Sequence, residues 1–478
     1  MEENGFVLKG VTLREYQKQN VDFALMKKNS ICSLAIGMGK TLASIAVFLE
    51  VKKNNIYSKC LVICPSSLKY HWAEEIKNYT NLKFLISDGN FNKRQKIYND
   101  FLNNDVDVLI TNYELFRETS SKSTKDFNIL KDVKFGMIIC DEITFIKNIK
   151  SQQHRGVVKL KSDFKIGLTG MPLENSPQDI FGIMRFINPM VFPQLTTFKN
   201  DYFVIQRRVL GNPNYPFRIF NEVIGYKNLD DLKNRLSPWM FRKEKSEIAS
   251  ELPELIEKNY FVDMTQGQRK YYEELKTDIL NGINPLAKMT YLREVCMSPK
   301  LLDVKESMGN KIYELLNILS NINIKENKVI IFSHFVKFIN IVAYNELINR
   351  GYDVVVVTGE DKSEDKFKKI SDFTNNKYDI LLSSDTLNYG VNLQRSNIII
   401  NCDLLWNKSR MEQRTGRIYR LGQQHDNIVV VNIITRNSVE ERVLEILKNK
   451  SDLISKVIGL DTGSLGVLHD IEFLKTVL

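Results

Sequence analysis

The chain is short of every residue type that would take it out of the ordinary globular class. Its 478 residues include 6 cysteines, 5 histidines, 11 prolines and 23 glycines. So little proline and glycine excludes a collagen-like or low-complexity chain. The cysteines (Cys32, Cys60, Cys64, Cys140, Cys296 and Cys402) form no C-x-x-C pair, and most lie inside apolar runs. They read as buried thiols in a reducing compartment, carrying no chemistry of their own. The histidines lack zinc-site spacing. No apolar run approaches the ~18 residues a membrane helix needs, and Met1–Lys9 has no apolar signal core. Those absences point to a cytoplasmic protein with no membrane partner. What is present in excess is base: 67 Lys+Arg against 57 Asp+Glu, for a net charge of +10. Such a surplus favours an anionic partner such as nucleic acid. Heavy use of Lys, Asn and Ile fits AT-rich coding in a prokaryote, phage or virus.

Short β-branched runs alternate with helical periods. One series is Ser30–Ala35, Cys60–Cys64, Val106–Thr111, Met137–Cys140 and Ile166–Thr169, with helical patterns such as Thr41–Lys52 and Leu68–Tyr79 between. A second series is Lys328–Phe332, Asp353–Thr358, Asp379–Ser384, Asn397–Cys402 and Asn427–Thr435, with helices near 335–349, 361–373 and 408–419. Continuous apolar runs without alternation suit strands buried on both faces of a parallel sheet. The chain is therefore α/β, with two parallel-sheet lobes. The stretch from about 190 to 308 differs. It has turn chemistry at 212–216 and charge-rich helical patterns at Asn228–Leu236 and Gln266–Leu280, which predicts a mainly helical insertion. The expected division is 1–190, 191–250, 251–455 (with helical material at about 266–308), and a bracing tail at 456–478.

Two short motifs carry chemistry. Gly37, Met38, Gly39, Lys40 and Thr41 follow the first strand and open a helix; Leu34 stands where the full phosphate-loop pattern has its first glycine. Such glycines let backbone N–H groups wrap phosphates, while Lys40 reaches the outer phosphates and Thr41 is placed for Mg²⁺. About a hundred residues later a buried strand ends in Asp141 and Glu142. Alone, that pattern is more often a strand leaving for solvent. Behind a phosphate loop, Asp141 is the candidate Mg²⁺ holder and Glu142 the base that polarises the attacking water.

From Leu168 to Asn175 the sequence resembles superfamily 2 helicase-type motors, in particular the Swi/Snf-type ATPases. The family's segments follow in order: Leu13 to Gln17, Leu61 to Ser67 with Trp72, Ile110 to Glu114, Asp141–Glu142 and Ile146 to Asn148. Met240 to Lys245 is similar to the family's basic helix before the second lobe, and Leu292 to Cys296 with Pro299 to another marker. Lys328 to Phe335, Ser383 to Leu393 and Gln413 to Gln423 resemble the second lobe's motifs. The likeness runs over residues 13–442. It implies two RecA-like lobes, ATP held between them, Gln17 reading adenine, and Gly390 and Gln413 at the nucleotide. The chain departs from the pattern at Leu34–Ala35, Ile143–Thr144, Met171 and Leu387–Asn388. Residues 413, 417 and 420 are spaced by four and three and so share one helical face, which makes Arg417 and Arg420 candidate arginine fingers.

The resemblance further implies a sequence-blind grip on the phosphates of duplex DNA by Ser66, Ser67, Lys69, Thr111, Asn112, Ser384 and Asn392. His334 and Trp406 read as packing residues. The expected function is an ATP-dependent translocase on double-stranded DNA. The rivals are a strand-separating or branch-migrating helicase and a non-hydrolysing nucleic-acid clamp.

Overall fold

The computed structural model describes residues 7–447, other than 56, 120, 174, 175, 213, 214, 246, 248–251, 278–284, 304–308, 386–392, 421 and 446. Gly390 and Asn392 lie outside the described residues, as do Leu387–Asn388 and the 456–478 tail.

Strands β1 (Asn29–Leu34), β2 (Cys60–Cys64), β4 (Val108–Asn112), β5 (Lys134–Asp141) and β6 (Lys161–Leu168) come from the first apolar series, and a short strand β3 (Phe84–Ile86) that the series did not include joins them. The chain then forms a hairpin, β7 (Phe203–Asn212) and β8 (Tyr215–Tyr226), and a short strand β9 (Met240–Lys243). The first sheet has the order β3-β4-β2-β5-β6-β1-β9, with every pairing parallel. Strands β10 (Glu254–Val262), β11 (Val329–Phe332), β12 (Val354–Val357), β13 (Ile380–Ser383), β14 (Ile398–Asn401) and β15 (Asn427–Thr435) make the second, in the order β10-β15-β14-β11-β13-β12. It too is parallel throughout. The chain divides into two compact units, essentially Met1–Ile248 and Ala249–Leu453.

The second sheet shows why its strands read as unbroken apolar runs. Val329, Ile331, Leu382, Ile398 and Ile400 belong to the core on one face, and Ile330, Phe332, Leu381 and Ile399 to the core on the other. Alternate side chains point to opposite faces, and here both faces are covered. All six cysteines are buried and free, as the apolar runs around them predict.

The stretch between the two sheets holds more strand than its pattern suggests. Helices Leu229–Leu236 and Gln266–Thr277 form where charge-rich periodicity puts them. The segment with turn chemistry, however, falls between the antiparallel strands β7 and β8, which pair Asn212 with Tyr215. Met240 to Lys243, expected to be helical, instead pairs with β1 as the edge of the first sheet. Backbone pairing to a neighbour outweighs local charge there.

Candidate functional site

The first lobe's site is built at the carboxyl edge of its sheet, where ligands collect in open parallel sheets. Cys32 of β1 and Asp141 of β5 both stand opposite Leu168 of the intervening β6. The phosphate-loop strand and the acidic strand therefore run level there, two strand spacings or about 10 Å apart. The charges of Lys40 and Asp141 both reach the buried Cys32 thiol, with opposite effects on its pKa.

Gly37 and Gly39 adopt positive φ (89° and 75°), and Gly39 is the residue before helix Lys40–Asn54. No side chain caps that helix, so its first N–H groups suit an anion. The loop is pinned from helix Glu15–Lys27. Buried Gln17 donates through Nε2 to the Met38 carbonyl at 3.1 Å, and the Tyr16 hydroxyl donates to the same oxygen at 3.2 Å. A Cβ on Gly39 would overlap Gln17 Nε2. Gln17 thus supports the loop, a contact the sequence alone did not reveal. Lys40 donates to the Leu34 carbonyl at 3.0 Å, which lays its side chain along the loop.

Asp141 is buried and oriented by one residue of helix Lys69–Tyr79 and one that directly follows β4. Its Oδ2 accepts from Trp72 Nε1 at 2.9 Å, its Oδ1 from the Glu142 N–H at 3.0 Å, and its carbonyl from the Tyr113 hydroxyl at 2.7 Å. Glu142 has φ 50° and ψ 58°, a left-handed conformation uncommon outside glycine, asparagine and aspartate. That turn sends its side chain away from the strand direction.

The expected nucleic-acid residues of this lobe divide. Ser66 and Ser67 are exposed. Asn112 donates to Ser66 Oγ at 3.0 Å and to Glu114 at 2.6 Å. Lys69 turns inward instead: it is 7% exposed and bonded to the Ser87 carbonyl and Asp88. Thr111 is fully buried, and its hydroxyl finds no partner. Neither side chain is presented to a ligand.

In the second unit the sequence-based geometry needs correction. The helix expected to run to residue 419 is Lys408–Thr415. Beyond Gly416 the backbone bonds become irregular: Arg417 N–H and Ile418 N–H reach the i−3 carbonyls of Arg414 and Thr415, Tyr419 N–H the i−4 carbonyl of Thr415, and Arg420 N–H the i−2 carbonyl of Ile418. Residues 413, 417 and 420 therefore do not share a regular helical face. Arg417 is 2% exposed, and its Nε donates to the Gln413 carbonyl at 3.0 Å; Arg420 Nε donates to the Gly416 carbonyl at 2.6 Å. Gln413 is buried, with Oε1 unpartnered. Ser384 is 6% exposed.

The residue that dominates this region is one the sequence did not single out. Arg414 is fully buried. It donates to Asp385 Oδ1 at 2.7 Å, to Asn401 Oδ1 at 3.2 Å and to the Asp403 carbonyl at 3.0 Å. Asp403 also accepts from Arg293 at 3.0 Å and from the His334 N–H at 2.9 Å. Trp406 packs as expected, with Arg293 over its ring. His334 does not: its side chain is 48% exposed, and Nδ1 lies 2.7 Å from Asp385 Oδ2. Burial raises the pKa of Asp385, but the His334 bond and the Arg414 charge outweigh it and hold the carboxyl well below its usual range.

The SNF2-related domain model matches residues 16–328, and the helicase conserved C-terminal domain model matches 310–422. The chain belongs to the SNF2-related family. It carries that family's ATPase domain followed by a helicase C-terminal domain. An uncharacterized ATP-dependent helicase of Mycoplasma genitalium is 27% identical over 97% of this chain and 44% of its own length. The human SWI/SNF-related matrix-associated actin-dependent regulator of chromatin subfamily A member 1 is 27% identical over 94% of this chain and 44% of its own. The chain thus spans less than half the length of these relatives. Among solved structures, the Sulfolobus solfataricus SWI2/SNF2 ATPase core in complex with dsDNA is similar at 26% identity and TM-score 0.45, covering 97% of this chain and 99% of that one. Among the described residues, no helix is long and apolar enough to cross a membrane.

Proposed function

We propose that this SNF2-related chain is an ATP-dependent motor that translocates on double-stranded DNA without reading its sequence. Residues 1–190 form the nucleotide-holding lobe in this reading, 191–250 its attachment, and 251–455 the second lobe. The observation that carries the proposal is that the Gly37–Thr41 loop and Asp141–Glu142 leave the same edge of one sheet, with Cys32 of the loop's strand and Asp141 both in register with Leu168. ATP phosphates bind the Gly37–Thr41 loop, and Glu142 takes the proton of the attacking water. Arg417 and Arg420 act on charge that builds at the γ-phosphate.

The donor set suits Mg²⁺ only in company with the nucleotide. No group of three or more His, Cys, Asp or Glu is arranged for a metal among the described residues. Mg²⁺ commonly rests on one or two carboxylates plus substrate phosphates. Asp141 and Thr41 would hold it here, where it would neutralise phosphate charge.

The relatives' names, an ATP-dependent helicase and a chromatin regulator, support DNA as the polymer. So does the surplus of base. The test is ATP turnover with duplex, single-stranded and forked DNA and with RNA. Duplex should stimulate most, and the stimulation should fade as salt rises, because phosphate contacts release counterions. Equal turnover with and without duplex at low salt overturns the proposal; stimulation by forks alone favours a strand-separating enzyme.

A further inference from the structure

An arginine with no exposed surface, three residues before a candidate finger, calls for an explanation. Burying an ion pair is costly, and well-packed apolar residues of similar volume often serve stability as well or better. Stability alone therefore does not account for Arg414. Geometry does. A guanidinium is a planar fork whose donors leave in fixed directions, and here they reach three separate places at the carboxyl edge of the second sheet. Asp385 follows β13, Asn401 ends β14, and Asp403 lies just beyond it.

Those places are themselves fixed. Asp385 is held by His334, and Asp403 by Arg293 and the His334 N–H. Asn401 donates to Asn432 of β15 at 2.8 Å, and Asn432 to Asn259 of β10 at 2.9 Å. A line of side-chain hydrogen bonds thus runs from Arg414 across three neighbouring strands. On its other side, the Arg414 carbonyl accepts the Arg417 N–H at 3.1 Å. The helix has just ended there, and the Arg417 N–H bonds to the i−3 rather than the i−4 carbonyl, so the peptide of Arg414 itself sets the direction of the chain at Arg417.

We propose that Arg414 is a positioning residue for Arg417 and Arg420, with Asp385 and Asp403 as its fixed points. Arg414 never meets the nucleotide. It fixes the peptide from which the two arginines turn, and its charge lies against the carboxylates of Asp385 and Asp403. The proposal rests on the reading of Arg417 as a group that acts on the γ-phosphate.

The test is a double-mutant cycle in the full chain at saturating duplex DNA. Steady-state ATP turnover is measured alongside the affinity for a slowly hydrolysed ATP analogue. Arg414→Lys keeps the charge and loses the fork. It should lower kcat by about 10²-fold, the scale of an ångström-level misplacement, while the analogue's affinity is unchanged. Asp385→Asn should give a smaller fall of the same kind. On an Arg417→Ala/Arg420→Ala background neither change should cost anything further, because a residue acting through those two arginines has nothing left to position. Normal kcat in Arg414→Lys, or its full loss repeated on that background, overturns the proposal and leaves Arg414 a support for the lobe. Where Arg414→Lys does not fold, the Asp385→Asn cycle decides. A harmless Arg417→Ala is a different failure, that of the finger itself.

Discussion

In the first lobe the chemistry is shaped by the main chain: Gly37, Gly39 and Glu142 all have positive φ, and the Met38 carbonyl anchors the loop to helix Glu15–Lys27. In the second it is shaped by side chains, with Arg414, Asp385, Asp403 and Arg293 linked in a buried web. The two are vulnerable in different ways. A main-chain site fails when a residue cannot adopt its conformation; a charge web fails when one member is removed and its partner is left in a low dielectric. This contrast makes the next predictions separable.

The largest effect is expected at Arg417. Arg417→Ala should lower kcat by about 10³–10⁵-fold, the range of arginine fingers elsewhere, with a modest change in ATP affinity, since Lys40 and Thr41 belong to the first lobe. Turnover and nucleotide binding at saturating duplex check it; loss of both in step would place Arg417 in ground-state binding instead. Next comes Glu142→Gln, which keeps the shape and removes the base. Turnover should fall by about 10²–10⁴-fold with ATP bound and unhydrolysed. Near-normal turnover would take the base assignment away from Glu142.

The charge-web side of the contrast can be tested without touching chemistry. Lys311 and Glu440 form an ion pair at 2.7 Å, with side chains 1% and 2% exposed, and Glu440 also accepts the Thr435 N–H. Lys311→Met leaves a carboxylate buried and unpaired. It should cost about 3–5 kcal/mol in denaturant unfolding, confined to the second unit. The main-chain counterpart is Gly39→Ala. Its cost is about 1–3 kcal/mol of local strain, and it should appear as weakened ATP binding with little change in melting temperature. Adding Gln17→Ala removes the overlap with Gln17 but not the strain at positive φ, so it should restore affinity only in part.

How much of this the sequence disclosed follows the same line. The main-chain site was legible because glycines before Lys-Thr and acids after an apolar run are local signals. The central strands were legible because both faces of the sheets are covered there, which makes runs such as β2, β11 and β13 almost wholly apolar, whereas β10, largely exposed, gave no such run. Strand β9 was not, since Met240, Phe241, Arg242 and Lys243 read as a basic segment and only pairing with β1 makes them a strand. The web was invisible for a related reason. Arg414 meets acids 29 and 11 residues away in sequence, and spacing within one segment cannot show that. The same spacing suggested a helical face through residue 420 that the chain abandons at Thr415.

The smallest predicted effect concerns pH, and here too the lobes part. His154 in the first lobe is buried, with Nδ1 2.6 Å from the Ile146 carbonyl. Burial is the main cause that lowers its pKa from the ordinary 6.5. The native state therefore holds His154 neutral at a pH where the unfolded chain is already protonated. Its contribution to stability is present above 6.5 and is lost as pH falls from there toward the native pKa, because the unfolded state binds the extra proton. Asp385 in the second lobe has the depressed carboxylate pKa, so its contribution is present above the ordinary 3.8 and is lost only below it. Between those values the His154 region should weaken, by at most about 1.4 kcal/mol for each pH unit, while the Arg414 web holds. Hydrogen exchange at stepped pH reads the two regions separately. Protection should fall around Ile146–Val157 before it falls around Lys408–Thr415, and His154→Gln should flatten the first response without altering the second. If both regions loosened together, or the web loosened first, the charges in the second lobe would not be matched as tightly as their distances indicate.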